Sequence, residues 1–137
     1  MFKAMLVEDN PSFRQVVKND LQDQFLSMDI IEAGDGVEAF QKLDSHPPNL
    51  IFMDIQLPGE NGLELTRKIK ADYPEIIIII LTSHDSPEYR EAATRCKANY
   101  FLSKDSITTD EIFKLVKSIL LEKGFNADGS DSKRGYS

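Results

Sequence analysis

Residues 76–83 read IIIIILTS, five isoleucines and a leucine in unbroken succession before a pair of hydroxyls. A half-buried strand alternates polar and apolar residues, and this run does not. A strand apolar on both sides has to be covered on both sides, which is the condition of an inner strand in a parallel sheet flanked by helices. The fold is therefore to be sought among the α/β classes.

Working outward, other segments repeat that logic. Residues 51–62, IFMDIQLPGENG, are a short apolar run that carries Asp54 and then breaks on Pro58 and Gly59, the punctuation of a tight turn. Lys3 to Val7 is a strand-like run ending in Glu8 and Asp9, and further strands are expected around Met28 to Ala33 and Ala98 to Leu102.

Between them lie helical spacings. Asn10-Pro11 supplies an N-cap residue and a first-turn proline, and Phe13, Val16, Val17, Leu21 and Phe25 follow three and four apart. Val37, Phe40 and Leu43 continue from Gly34-Asp35-Gly36, and Leu65 and Ile69 lie on a helix ending before Pro74. Ser86-Pro87 opens the next helix. Thr108 to Glu111 has the capping-box pattern ahead of a stripe of Ile112, Leu115, Val116, Ile119 and Leu120, which Gly124 stops.

Five strands alternating with five helices predict a parallel sheet with helices on both faces, an α/β doubly wound domain over residues 1–123. Residues 124–137 are small, polar and unpatterned, and are expected to form a flexible tail or the start of a linker. A length of 137 residues with 41% hydrophobic content suits one ordinary domain.

A net charge of -7 argues against long-range attraction to nucleic acid or an anionic membrane. One cysteine, Cys96, excludes an internal disulfide and fits a reducing compartment, so the cytoplasm is the expected location. The N-terminus lacks a signal-peptide layout, and no apolar run approaches bilayer-spanning length. No GxGxxG or Walker-type string follows the first strand.

Ligands of open parallel sheets bind beyond the carboxyl ends of the strands. The residues expected there are Glu8 and Asp9, Asp54, Thr82 with Ser83, and Lys104. Carboxylates crowded together repel unless a cation joins them. A hard divalent ion with open positions suits few oxygen ligands, which favours Mg²⁺ over Ca²⁺; zinc is disfavoured because His46, His84 and Cys96 are scattered. With Mg²⁺ and Lys104 neutralising charge, a phosphoryl group could be held in line with Asp54 while the Thr82 hydroxyl donates to it.

These residues resemble the receiver domain of bacterial two-component response regulators over roughly residues 3 to 123, in VEDN, DGVEAF, IFMDIQLPGENGLEL, IIILTS and YFLSK. The resemblance implies a flavodoxin-like (βα)5 fold with strand order 2-1-3-4-5. It implies that Asp54 is phosphorylated from a phosphohistidine on a sensor histidine kinase or phosphotransfer protein. It assigns metal binding to Asp9, Asp54 and the backbone carbonyl of Gln56, with Glu8 acting mainly through water, and pairs Lys104 with the phosphoryl group.

The resemblance also implies a switch in which Thr82 moves toward the phosphate and Phe101 turns inward. The face made by the fourth helix, last strand and last helix then changes shape for a downstream target or output domain. Gln56 and His84 fall at positions that modulate the access of water to the acyl phosphate. Self-assisted phosphorylation and dephosphorylation, and homodimerisation, are within the family's range.

Two departures stand out. Phe101 lacks the hydroxyl of the commoner tyrosine, and Asp105 replaces the proline that often follows the lysine. LSKDS instead resembles receivers that precede a LuxR-type DNA-binding domain, so an N-terminal fragment of such a regulator stays open. A phosphatase acting on free esters and a phosphorylation-independent docking module stay open as well, although the first strand is not followed by a DxDxT-like pattern.

Overall fold

The computed structural model describes residues 1–132. The chain alternates β1 (Lys3–Val7), α1 (Pro11–Gln24), β2 (Asp29–Ala33), α2 (Gly36–Ser45), β3 (Leu50–Met53), α3 (Gly62–Asp72), β4 (Ile77–Thr82), α4 (Pro87–Arg95), β5 (Tyr100–Ser103) and α5 (Thr109–Glu122). The strands form one parallel sheet in the order β2-β1-β3-β4-β5, as the resemblance implies.

The isoleucine run shows why the sheet is doubly covered. Side chains alternate across a strand, so Ile78 and Ile80 join Met5, Val7, Ile51 and Met53 on the face packed by α2, α3 and α4. Ile79 and Leu81 point the other way, with Leu6 and Phe52, into the layer formed by α1 and α5. Each neighbouring strand obeys the same division, and a polar residue at any of these positions would have no solvent to face.

Local chemistry sets the helix ends. The Asn10 side chain accepts from the Ser12 and Phe13 amides at 3.0 and 3.1 Å, and Asp35, Asn61 and Ser86 cap their helices in the same manner. Thr108 and Glu111 close the full capping box. Gly59, at φ 80, takes a left-handed turn conformation between β3 and α3.

The flexible tail expected of residues 124–137 is corrected for residues 124–132. Gly124 (φ 84) and Gly129 (φ 92) turn the chain back on itself, and Phe125 and Asp131 form an antiparallel bridge. The segment straps the amino end of the sheet: the Phe2 amide donates to the Gly129 carbonyl and the Ser27 amide to the Asp128 carbonyl, each at 2.9 Å. The Phe125 ring meets Phe2 edge-on at 5.1 Å. Composition misses this strap because one aromatic, two turn glycines and borrowed backbone donors carry it, with no periodic apolar face. Residues 133–137 lie outside the described residues, and the rest of that expectation lies with them.

Phe125→Ala should therefore destabilise the domain by about 1.5–2.5 kcal/mol, half the cost of a fully buried phenylalanine, and speed amide exchange at Phe2 and Ser27. Unchanged exchange at both amides would show that the strap carries no load.

Candidate functional site

In this sheet the strand order reverses between β1 and β3, because the crossovers run one way from β1 to β2 and the other way from β3 onward. The helices that follow those two strands therefore part, and a crevice opens beyond their carboxyl ends. Glu8 and Asp9 follow β1, and Asp54 follows β3 directly. Their backbone is still held by the sheet: the Glu8 amide donates to the Ala33 carbonyl and the Asp54 amide to the Val7 carbonyl, each at 3.0 Å. Rigid strands thus aim these side chains at one point.

Carboxylate oxygens of Glu8, Asp9 and Asp54 lie within 4.8 Å of one another. Glu8 and Asp54 are buried, each 6% exposed, while Asp9 is at the surface. Lys104, brought in by β5, is the counter-charge: its Nζ donates to Glu8 Oε1 at 2.6 Å and to Asp54 Oδ2 at 3.2 Å. The amide of Lys104 donates to the Thr82 carbonyl at 2.9 Å, which keeps the loop after β5 in register with the end of β4.

Burial pushes the Glu8 carboxyl above the ordinary glutamate range, against the bonds it accepts from Lys104 and the Asn10 amide. Burial also works against the Lys104 ammonium, yet the bonds and charge of Glu8 and Asp54 outweigh it and hold the ammonium above the usual lysine value. A lysine so held is a permanent cation at neutral pH.

One polar atom is left over. Asp54 Oδ1 is buried and has no hydrogen-bond partner, an arrangement that costs free energy unless a cation or ligand uses the atom. An orphaned carboxylate oxygen inside a three-acid cluster, made of hard oxygen donors with an open side, fits a divalent metal ion. The cluster is thus capable of holding one.

The loop after β3 completes the frame. Gly62, the first residue of α3, donates its amide to the Ile55 carbonyl at 2.8 Å, and a Cβ at Gly62 would lie 1.8 Å from the carbonyl oxygen of Asp54. Only hydrogen fits there, so α3 presses on the peptide that carries Asp54.

The remaining expected residues take separate places. Thr82 is fully buried at the end of β4, and its hydroxyl accepts the His84 amide at 3.2 Å. Gln56 is exposed two residues beyond Asp54. The half-buried His84 ring is tilted against Tyr89 at 5.6 Å. Phe101 is half-buried on β5 beneath the Arg90 guanidinium, 4.6 Å from the ring centroid. Cys96 caps the carboxyl end of α4.

Residue patterns alone miss several neighbours. Phe13, which reads as one more apolar helix position, places its ring 4.3 Å from Lys104 Nζ and so gives the ammonium a third contact. Arg14 donates to the Glu8 carbonyl at 2.5 Å and to Glu32 at 3.1 Å, tying α1 to the ends of β1 and β2. Nothing in their spacing marks either residue, since only the docking of α1 on the sheet creates the contact.

Comparison with known proteins agrees with this geometry. Residues 4–117 match the family model described as the response regulator receiver domain. The chain is 35% identical over 94 residues to the oxygen regulatory protein NreC of Staphylococcus carnosus, covering 67% of this chain and 43% of that protein. It is 32% identical over 105 residues to the chemotaxis protein CheY1 of Helicobacter pylori, covering 74% of this chain and 84% of that protein. The chain therefore spans less than half of NreC and most of CheY1. Among solved structures it superposes on the response regulator TrrA of Thermotoga maritima, crystallised with Mg²⁺ and beryllium fluoride. The TM-score is 0.76 at 31% identity, covering 88% of this chain and 100% of that one. Among the described residues no helix is long and apolar enough to cross a membrane.

Proposed function

Because the chain belongs to the response regulator receiver domain family, we propose that Asp54 is its phospho-acceptor and that phosphorylation switches the surface formed by α4, β5 and α5. The observation that carries this reading is the buried Asp54 carboxylate, with Oδ2 on Lys104, Oδ1 unpartnered, and Glu8 and Asp9 alongside.

An Asp54 oxygen attacks the phosphorus of a phosphohistidine on a sensor histidine kinase or phosphotransfer protein. The P–O bond of an acyl phosphate forms as the P–N bond breaks, and the imidazole leaves with the bonding pair and takes a proton from water. Lys104 donates to a phosphoryl oxygen, and the Thr82 hydroxyl turns from the His84 amide to donate to another. Asp9, Asp54 and the Gln56 carbonyl are the ligands proposed for Mg²⁺, with Glu8 acting mainly through water; the bound ion would neutralise the crowded carboxylates and the transferred oxygens. Gln56 and His84 border the approach of water and set the lifetime of the phosphoryl group, so the domain assists its own dephosphorylation.

Phe101 relays the change to the α4-β5-α5 surface, which meets a downstream target or output domain, or a second copy of the chain. Signalling of this kind takes place in the cytoplasm. The 43% of NreC that the chain spans, together with LSKDS at residues 102–106, supports a second reading as the receiver portion of a LuxR-type regulator. In that reading DNA contacts belong to the output module.

Incubation with Mg²⁺ and acetyl phosphate should add one phosphoryl mass per chain, detected by intact-mass spectrometry, and prior chelation with EDTA should prevent it. Incorporation that ignores EDTA would sink the metal assignment, and no incorporation from either acetyl phosphate or a phosphohistidine donor would sink the phospho-acceptor reading.

A further inference from the structure

Phe101 is half-buried at the edge of the apolar layer beneath α4, with the Arg90 guanidinium over its ring. The same guanidinium pairs through Nε with Asp85 Oδ1 at 2.5 Å and, with a smaller contribution from the Ser103 side chain, holds the Asp85 carboxyl below the usual aspartate range. Ser103 lies opposite Thr82 in the β4–β5 ladder and immediately precedes Lys104. One side chain thus links the loop after β4, helix α4 and strand β5 around a single ring. The ring has no hydroxyl, so a cation on its face is the directional contact open to it.

The geometry points to Arg90 as a positioning residue that clasps Phe101 in the unphosphorylated arrangement, so that release of this clasp sets how readily the ring moves when Asp54 takes up a phosphoryl group. This rests on the phospho-acceptor reading above. A contact made in only one of two states shifts the balance between them by its own free energy. A clasp confined to the starting state therefore opposes the switch, and its removal makes the switch easier. Arg90 is about half exposed, with 48% of its side chain accessible, so Arg90→Ala leaves the core intact.

The test uses the full chain labelled with fluorophenylalanine, the Phe101 resonance being the one that Phe101→Leu removes. The ligand is Mg²⁺ with beryllium fluoride. Arg90→Ala should shift the Phe101 resonance in the free protein and lower the half-saturating beryllium fluoride concentration by about two- to fivefold, the range of an exposed cation–π contact. Arg90→Lys should act in the same direction as Arg90→Ala with a smaller effect, because it keeps a cation but loses the planar stacking surface. Asp85→Asn should act in the same direction with a smaller effect. A Phe101 resonance that Arg90→Ala leaves in place, or a half-saturation that is unchanged or raised, overturns the clasp. Asp54→Asn should abolish the titration in either case. If the wild-type chain gives no titration, the phospho-acceptor reading fails, and the free-protein resonance still decides the clasp.

Discussion

Asp54→Asn protein, incubated with Mg²⁺ and acetyl phosphate, should gain no phosphoryl mass under conditions that saturate the wild-type chain. An amide oxygen is a poor nucleophile, and an amide removes the negative charge that would hold a cation against Glu8 and Asp9. The shape of the side chain is nearly kept, so Lys104 retains an acceptor and the fold should persist. Neighbouring acids are poor substitutes. Glu8 is engaged by Lys104 at 2.6 Å and by the Asn10 amide at 3.1 Å, which occupies both of its oxygens. Asp9 is exposed, where water competes for any transferred group. Phosphoryl incorporation at the wild-type level would move the nucleophile to another residue and refute the assignment of Asp54.

Gly62→Ala should cost at least about 3 kcal/mol of stability, the upper end of what overpacking does in a well-packed interior. The reason is backbone contact and not conformational freedom. A Cβ there would sit 1.8 Å from the Asp54 carbonyl oxygen and 2.8 Å from its carbon, and neither can swing aside as a long side chain would. Relief requires α3 to back away from β3, which also breaks the 2.8 Å bond from the Gly62 amide to the Ile55 carbonyl. Urea unfolding should show the loss directly. The fraction that stays folded should also accept phosphate more slowly, because the peptide carrying Asp54 has been displaced. A loss under about 1 kcal/mol would mean that α3 yields freely, and the close approach would then have no structural weight.

Gly62 also marks a limit of sequence reading. A glycine soon after Pro58-Gly59 reads as turn chemistry, and the turn is there, with Gly59 at φ 80. That Gly62 is pressed against the peptide of Asp54 depends on the docking of α3. The same holds for Phe13 and Arg90. Each looks like an ordinary member of a helix, one apolar and one charged, until the helix is laid on the sheet and a cation meets a ring.

The strand and helix pattern was open to reading because each element carries its own local signal. An isoleucine run has no polar face, and Asn10, Asp35, Asn61, Ser86 and Thr108 satisfy helix amides within a few residues of themselves. Glu8, Asp9, Asp54, Thr82 and Lys104 were identifiable because strands end where they stand, and parallel strands end on the same side.

Tertiary structure decided what depends on distances between segments far apart in the chain. Lys104 lies nearer Glu8 than Asp54, and one oxygen of Asp54 is left without a partner. Residues 124–132 close as a strap because Gly124 and Gly129 turn the chain back and Phe2 and Ser27 meet it. Local signals are short-range free energies repeated along the chain, and so they are written in the order of its residues. A site and a strap are made by a few contacts between segments many residues apart, and those contacts exist only once the sheet has brought the segments together.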